Sequence, residues 1–207
     1  PIQHADACRS YAAQGATGGH GRPDARHASS AEQLIMVLET LATRNVRNHT
    51  FSEFRFPENG ILLWGENGAG KTAVLESIAL LCTSRSFVTS SDKTIVNRES
   101  DACAIAGTLQ ATGGSKHTVE YNLPQGPGRK QIMLDNAPLG SSVELIGRFP
   151  VVSLSPQYRA ITSGGPSERR SFMDFVISQA HHTYLMDLVE YKKVIKSTTT
   201  VTKKYCE

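Results

Sequence analysis

The 207-residue chain has little cysteine, and what it has is scattered. Cys8, Cys82, Cys103 and Cys206 form no C-x-x-C pair, and no histidine lies at metal-ligand spacing from them, which argues against a metal site built on thiols. His181 and His182 are neighbours, but adjacent residues point in different directions on a helix, so they are a poor pair of ligands. Such cysteine usage fits a reduced, cytoplasmic compartment. Long apolar runs are also missing: none approaches the length of a membrane span. The first residues lack a basic start followed by an apolar core, so no signal peptide is legible. Nor does one sign of charge prevail. Lys plus Arg number 22 against 19 Asp plus Glu, and a net charge of +3 permits a nucleic-acid partner without arguing for one. Lys192, Lys193, Lys196, Lys203 and Lys204 crowd the end of the chain and read as a solvated run.

Residues Pro1 to Gln33 are poor in Ile, Leu, Val and Phe, and rich in Ala, Gly, Ser, Arg and His. Such a segment cannot bury enough apolar surface to offset its ordering entropy. The chain starts at Pro1 and its first methionine is Met36, so residues 1–35 are expected to be a disordered or non-native leader.

What is present is a phosphate-binding pattern. Gly65-Glu66-Asn67-Gly68-Ala69-Gly70-Lys71-Thr72 fits G-x-x-x-x-G-K-[ST]. Ile61 to Trp64 ahead of it reads as an apolar strand. Ala73 to Cys82 behind it reads as a helix, with Leu75, Ile78 and Ala79, and then Ile78, Leu81 and Cys82, at helical spacing. Each residue type has a reason. Glycines let the backbone turn so that N–H groups from Gly65 to Thr72 approach phosphate oxygens. The helix N-terminus adds positive partial charge. Lys71 would reach the β- and γ-phosphates of ATP, and the Thr72 hydroxyl would ligand Mg²⁺. Cys82 falls on the apolar side of the helix as a small core residue.

Around this centre, Val37 to Leu41 and Phe51 to Phe56 read as strands separated by a turn over Asn45 to His49. Cys103 to Leu109 and Thr118 to Leu123 alternate as a hairpin about Thr112-Gly113-Gly114-Ser115. Gln131 to Leu134 and Val151 to Leu154 are further strands, and Asp135-Asn136 is a turn. Pro166 with Glu168 marks a helix start, with Phe172, Phe175 and Val176 on one face. A second helix is expected over Tyr184 to Lys196, with Tyr184, Leu188, Tyr191 and Ile195 on one stripe.

Three separated motifs in order carry a family resemblance. Leu41-Ala42-Thr43-Arg44-Asn45-Val46-Arg47-Asn48 is similar to L-x-x-x-N-F-R-N, with Val46 for Phe. The phosphate loop is followed by Leu75-Glu76-Ser77-Ile78 and Thr83-Ser84-Arg85-Ser86-Phe87, similar to G-R-S-F-R with Ser84 for Gly and Val88 for the last Arg. Leu154-Ser155-Pro156-Gln157, Gly164 to Arg170 and Phe172-Met173-Asp174 resemble F-S-P-x-x-L and G-G-P-x-x-R-R-x-F-L-D. Over Met36 to Lys196 the chain resembles the RecF family of ABC/SMC-type ATPases. The resemblance implies an α/β fold: a P-loop, ABC-type ATPase head lobe with a mixed β-sheet over 36–162, then the start of a helical lobe over 163–196. It implies ATP and Mg²⁺ as ligands, and a homodimer closing on ATP. Partners would be single-stranded, gapped or junction DNA and the RecO and RecR proteins. The roles would be replication, recombinational repair and the SOS response. Arg47 and Gln157 become candidate nucleotide contacts, and Arg85 a candidate DNA contact.

Two departures bear on activity. After Lys196 the family's Q-R-N-x-L-L is replaced by a divergent tail over 197–207, as from a frameshift or truncated gene. No L-S-x-G-Q signature and no apolar run ending in paired acids is present, so no catalytic residue is assigned. The expectation is therefore a fragment that binds ATP weakly or not at all and does not hydrolyse it. A small-molecule kinase or other NTPase, or a non-functional truncated product, is the alternative. A GTPase is disfavoured by the missing N-K-x-D.

Overall fold

The structure, a computed structural model, describes residues 3–4, 36–89, 91–111, 114–155, 161 and 163–205. The expected leader therefore lies outside the described residues, apart from Gln3–His4 (β1), which pairs antiparallel with Leu63–Trp64 (β4). Gln157, Cys8 and Cys206 also lie outside them.

Alternation of buried and exposed residues builds the main sheet. Met36–Val46 (β2) and His49–Arg55 (β3) pair antiparallel across the tight turn Arg47-Asn48, so both strands run closer to the turn than the sequence suggests. Ala102–Ala111 (β5) and Lys116–Pro124 (β6) form the expected hairpin. Cys103, Ile105, Leu109, Val119, Tyr121 and Leu123 point inward. Gln131–Leu134 (β7) turns through Asp135 and Asn136, both at positive φ, into Ala137–Pro138 (β8). The order is β3-β2-β5-β6-β7-β8. A mixed sheet was expected, but every pairing in this sheet is antiparallel. The reason is connectivity: four of its five neighbouring pairs are joined by short turns, which can link only antiparallel strands.

Lys71–Thr83 (α1) lies on the inner face of the sheet and meets β2, β5 and β6. Its core side is Ala73, Val74, Ser77, Leu80 and Leu81, and Cys82 is buried as expected. Leu75 is instead 51% exposed, so the Leu75-Ile78-Ala79 stripe is not the core face. The helix is apolar over most of its circumference, and such a pattern does not single out one face. Burial pushes the Cys82 thiol up to about 12 and that of Cys103 up to about 11, so both are inert core groups.

The expected strand over Val151 to Leu154 does not form. Val152 and Leu154 are almost fully exposed, and the segment joins no ladder. Alternation is necessary for a half-buried strand but does not supply a neighbour to pair with. Pro166–Ala180 (α2) starts as expected, with Pro166 in the first turn and Glu168 beside it. Phe172 and Phe175 are half-buried, whereas Val176 is exposed. His182–Tyr205 (α3) packs against α2 through buried Leu185, and the Tyr184 hydroxyl donates to Asp174 Oδ1 at 2.7 Å. It continues well past Lys196. Its expected stripe fades, with Tyr191 and Ile195 exposed.

Gly107 marks where α1 presses on the sheet. A Cβ there would lie 2.6 Å from Leu81 Cδ1 and 3.1 Å from the Thr40 carbonyl oxygen. Gly107→Ala is expected to lower unfolding free energy by about 1–3 kcal/mol through overpacking. Urea unfolding checks this, and an unchanged midpoint would contradict the packing described.

Candidate nucleotide-binding site

The segment Gly65–Thr72 connects β4 to α1 as the sequence pattern requires. Gly65, Gly68 and Gly70 have φ of 147°, 81° and 96°, values that L side chains rarely adopt. Gly70 occupies the N-cap position and offers no side-chain cap, so the first N–H groups of α1 are left for an external acceptor. The Ala69 N–H closes a turn to the Glu66 carbonyl at 3.2 Å. Lys71 Nζ folds back over the loop and donates to the carbonyls of Gly65 at 2.9 Å and Glu66 at 2.7 Å. Glu66, Asn67 and Thr72 are exposed beside it. An ammonium, unpaired helix N–H groups and a concave backbone converge on one spot, an arrangement suited to a polyphosphate.

The β2–β3 turn supports this loop from behind. Asn48 Nδ2 donates to the Gly68 carbonyl at 2.6 Å. His49 Nε2 lies 3.1 Å from the Gly70 carbonyl, and Nδ1 lies 2.8 Å from Ser52 Oγ. A carbonyl only accepts, so Nε2 carries the hydrogen, and in the neutral ring Nδ1 accepts from the Ser52 hydroxyl. A Cβ on Gly70 would stand 2.3 Å from His49 Nε2 and 2.8 Å from Asn48 Oδ1, so glycine is required by space as well as by φ.

Arg47, expected as a nucleotide contact, is placed on the side of the turn facing α1. Its Nε donates to Glu76 Oε2 at 2.9 Å, Nη2 to Glu76 Oε1 at 2.8 Å and Nη1 to the Thr94 carbonyl at 2.8 Å. The Glu76 side chain is only 1% exposed. It also accepts from the Ser86 hydroxyl, whose oxygen in turn accepts from the N–H groups of Val88 and Thr89. Arg85 is exposed at the far end of α1, about 20 Å from the glycine loop by helix rise. It rims a cleft of about 410 Å³ lined by Phe87, Val151, Phe172 and Phe175. Among the described residues no group of three or more His, Cys, Asp and Glu could hold a metal ion.

The structure places Lys71, Thr72 and the loop glycines together at the start of α1. Sequence reasoning passed over the parts played by Asn48, His49, Glu76 and Ser86. The one available signal was Glu76, a carboxylate in an otherwise apolar helix, which calls for a buried partner.

A family model described as AAA domain matches residues 40–172, more than half of the chain. The DNA replication and repair protein RecF of Salinibacter ruber is 36% identical over 170 residues, covering 82% of this chain and 41% of that protein. RecF of Chloroherpeton thalassium is 37% identical over 163 residues, covering 77% and 43%. The chain thus spans less than half the length of these curated relatives. A solved structure described as the recombination mediator protein RecF-ATP in the RecFOR pathway superposes with a TM-score of 0.74 at 29% identity, covering 82% of this chain and 46% of that one. An SMC ATPase structure, from work on ATP-driven dimerization and DNA-stimulated activation, gives a TM-score of 0.53 at 14% identity and supports the fold alone.

The close fit at Gly70 has a measurable consequence. Gly60 has a similar φ of 95° but open space where its Cβ would stand. Gly70→Ala is expected to lower unfolding free energy by about 1 kcal/mol or more beyond the loss in Gly60→Ala. Equal losses in denaturant titrations would contradict the contact with Asn48 and His49.

Proposed function

Because the chain belongs to the AAA domain family and is a homologue of RecF, we propose that it binds ATP in the Gly65–Thr72 loop as the nucleotide-holding part of a RecF-like DNA replication and repair protein. The observation that carries this reading is the Lys71 ammonium over a loop of three positive-φ glycines at a helix N-terminus. Backbone N–H groups between Gly65 and Thr72 hold phosphate oxygens. Lys71 exchanges a carbonyl contact for the β- and γ-phosphates. The Thr72 hydroxyl would supply a ligand to Mg²⁺. Three guanidinium contacts favour Arg47 as a brace behind the loop over direct contact with nucleotide.

DNA is the proposed macromolecular partner, as single-stranded, gapped or junction DNA, with exposed Arg85 as a phosphate contact. RecO and RecR proteins, an ATP-dependent homodimer, a cytoplasmic location and a part in recombinational repair and the SOS response belong to the same reading. No helix among the described residues is long and apolar enough to cross a membrane. Hydrolysis is not proposed for this chain, whose sequence lacks an apolar run ending in paired acids.

Trp64 is the single tryptophan and immediately precedes Gly65, so its emission reports on the loop. Titration with MgATP is expected to give a saturable change, weakened about tenfold or more in Lys71→Ala, a loss of about 1.4 kcal/mol or more. Neither protein should release phosphate. Equal affinity in both proteins, or no binding, would overturn the nucleotide site. Turnover by the unsubstituted protein that is lost in Lys71→Ala would overturn the absence of hydrolysis.

A further inference from the structure

We infer that Asn48 and His49 are positioning residues for the phosphate loop: by holding the carbonyls of Gly68 and Gly70, they fix the loop's turn at Ala69 and aim the N–H of Lys71. This rests on the nucleotide reading above and adds to it which side chains set the loop's shape.

The reasoning begins with the peptide bond. In a planar trans unit the C=O of one residue and the N–H of the next point in opposite directions. No cis peptide occurs among the described residues. The Gly70 carbonyl accepts from the Val74 N–H at 3.1 Å and stands 3.1 Å from His49 Nε2. Two donors on one carbonyl fix the plane of the Gly70–Lys71 unit. The Lys71 N–H is therefore turned outward from the start of α1, where a phosphate would meet it. Asn48 holds the Gly68–Ala69 unit with one short bond of 2.6 Å, and the N–H on its far side, that of Ala69, closes the loop's turn to the Glu66 carbonyl at 3.2 Å. Glycine has the widest conformational freedom of any residue, so a loop with glycines at positions 65, 68 and 70 has the most need of outside restraint.

His49 is suited to this restraint. It is 8% exposed, its ring meets Phe54 edge to face with centroids 6.2 Å apart, and Ser52 fixes its other nitrogen. The ring therefore cannot swing away from Gly70 without losing contacts on three sides. The restraint is specific to a donor at the Nε2 position and not to an aromatic ring at residue 49.

That distinction supplies the test. Gln places an amide N–H₂ near the position of Nε2 but loses the ring, whereas Phe keeps the ring and loses the donor. ATP affinity is read from Trp64 emission, and the Ala69 and Lys71 amide resonances from ¹⁵N-labelled, nucleotide-free protein. Circular dichroism confirms that each variant is folded. His49→Phe is expected to weaken ATP binding about five- to tenfold, the scale of one hydrogen bond, and to shift the Lys71 amide. His49→Gln should return both toward the unsubstituted values. Better binding by His49→Phe than by His49→Gln would mean that the ring acts through packing and would overturn the inference. Asn48 is exposed, so Asn48→Ala keeps the fold and gives a second test if His49→Phe does not fold. It should weaken ATP binding and shift the Ala69 amide, and no change in either would overturn the inference. If the unsubstituted chain does not bind ATP, the nucleotide reading fails by itself. The amide resonances then decide the positioning claim: movement in His49→Phe with return in His49→Gln sustains it, and identical resonances in all three proteins refute it.

Discussion

The ion pair between Arg47 and Glu76 is the constraint on which the site depends. Glu76 is almost fully buried within α1. An unpaired carboxylate there would be strongly destabilising, whereas a two-bond contact with a guanidinium satisfies both of its oxygens. The pair fixes the distance between the β2–β3 turn and the helix that begins at the phosphate loop. With that distance set, the next two side chains of the turn reach the loop, Asn48 at Gly68 and His49 at Gly70. Ser86 brings the segment after α1 onto the same carboxylate. One buried acid thus gathers a turn, a helix and a loop that are distant in sequence.

The sheet gives this arrangement a firm base. Tyr121, Ile105, Leu41 and Val119 are fully buried with Leu80, Leu81 and Val74 of α1. The helix therefore cannot slide without disturbing the core. A phosphate loop at its start is then held at two places, by the helix in front and by the turn behind. Such preorganisation lessens the ordering that ligand binding must supply.

How much of this the sequence disclosed depended on the range of the interaction. The glycine loop and its lysine were legible because the chemistry confines them to eight consecutive residues. The β5–β6 hairpin was legible because burial on one face imposes a period of two. The start of α2 was legible from Pro166 and Glu168, which act locally. Val151 to Leu154 misled because alternation does not disclose whether a neighbouring strand exists. Leu75 misled because α1 is apolar on nearly all sides. The contacts of Asn48 and His49 with Gly68 and Gly70 were not legible at all. They are side-chain bonds to backbone some twenty residues away, and such bonds impose no period on the sequence. The likeness to RecF spans less than half the length of those relatives.

The most direct test of the central claim is a double-mutant cycle on the ion pair, with Arg47→Ala, Glu76→Gln and the double variant compared by denaturant unfolding. If the pair gathers the site as described, the two changes are strongly non-additive, with a coupling of about 1–3 kcal/mol. Losses that add to within about 0.5 kcal/mol would show that Arg47 and Glu76 act independently, and would contradict the account.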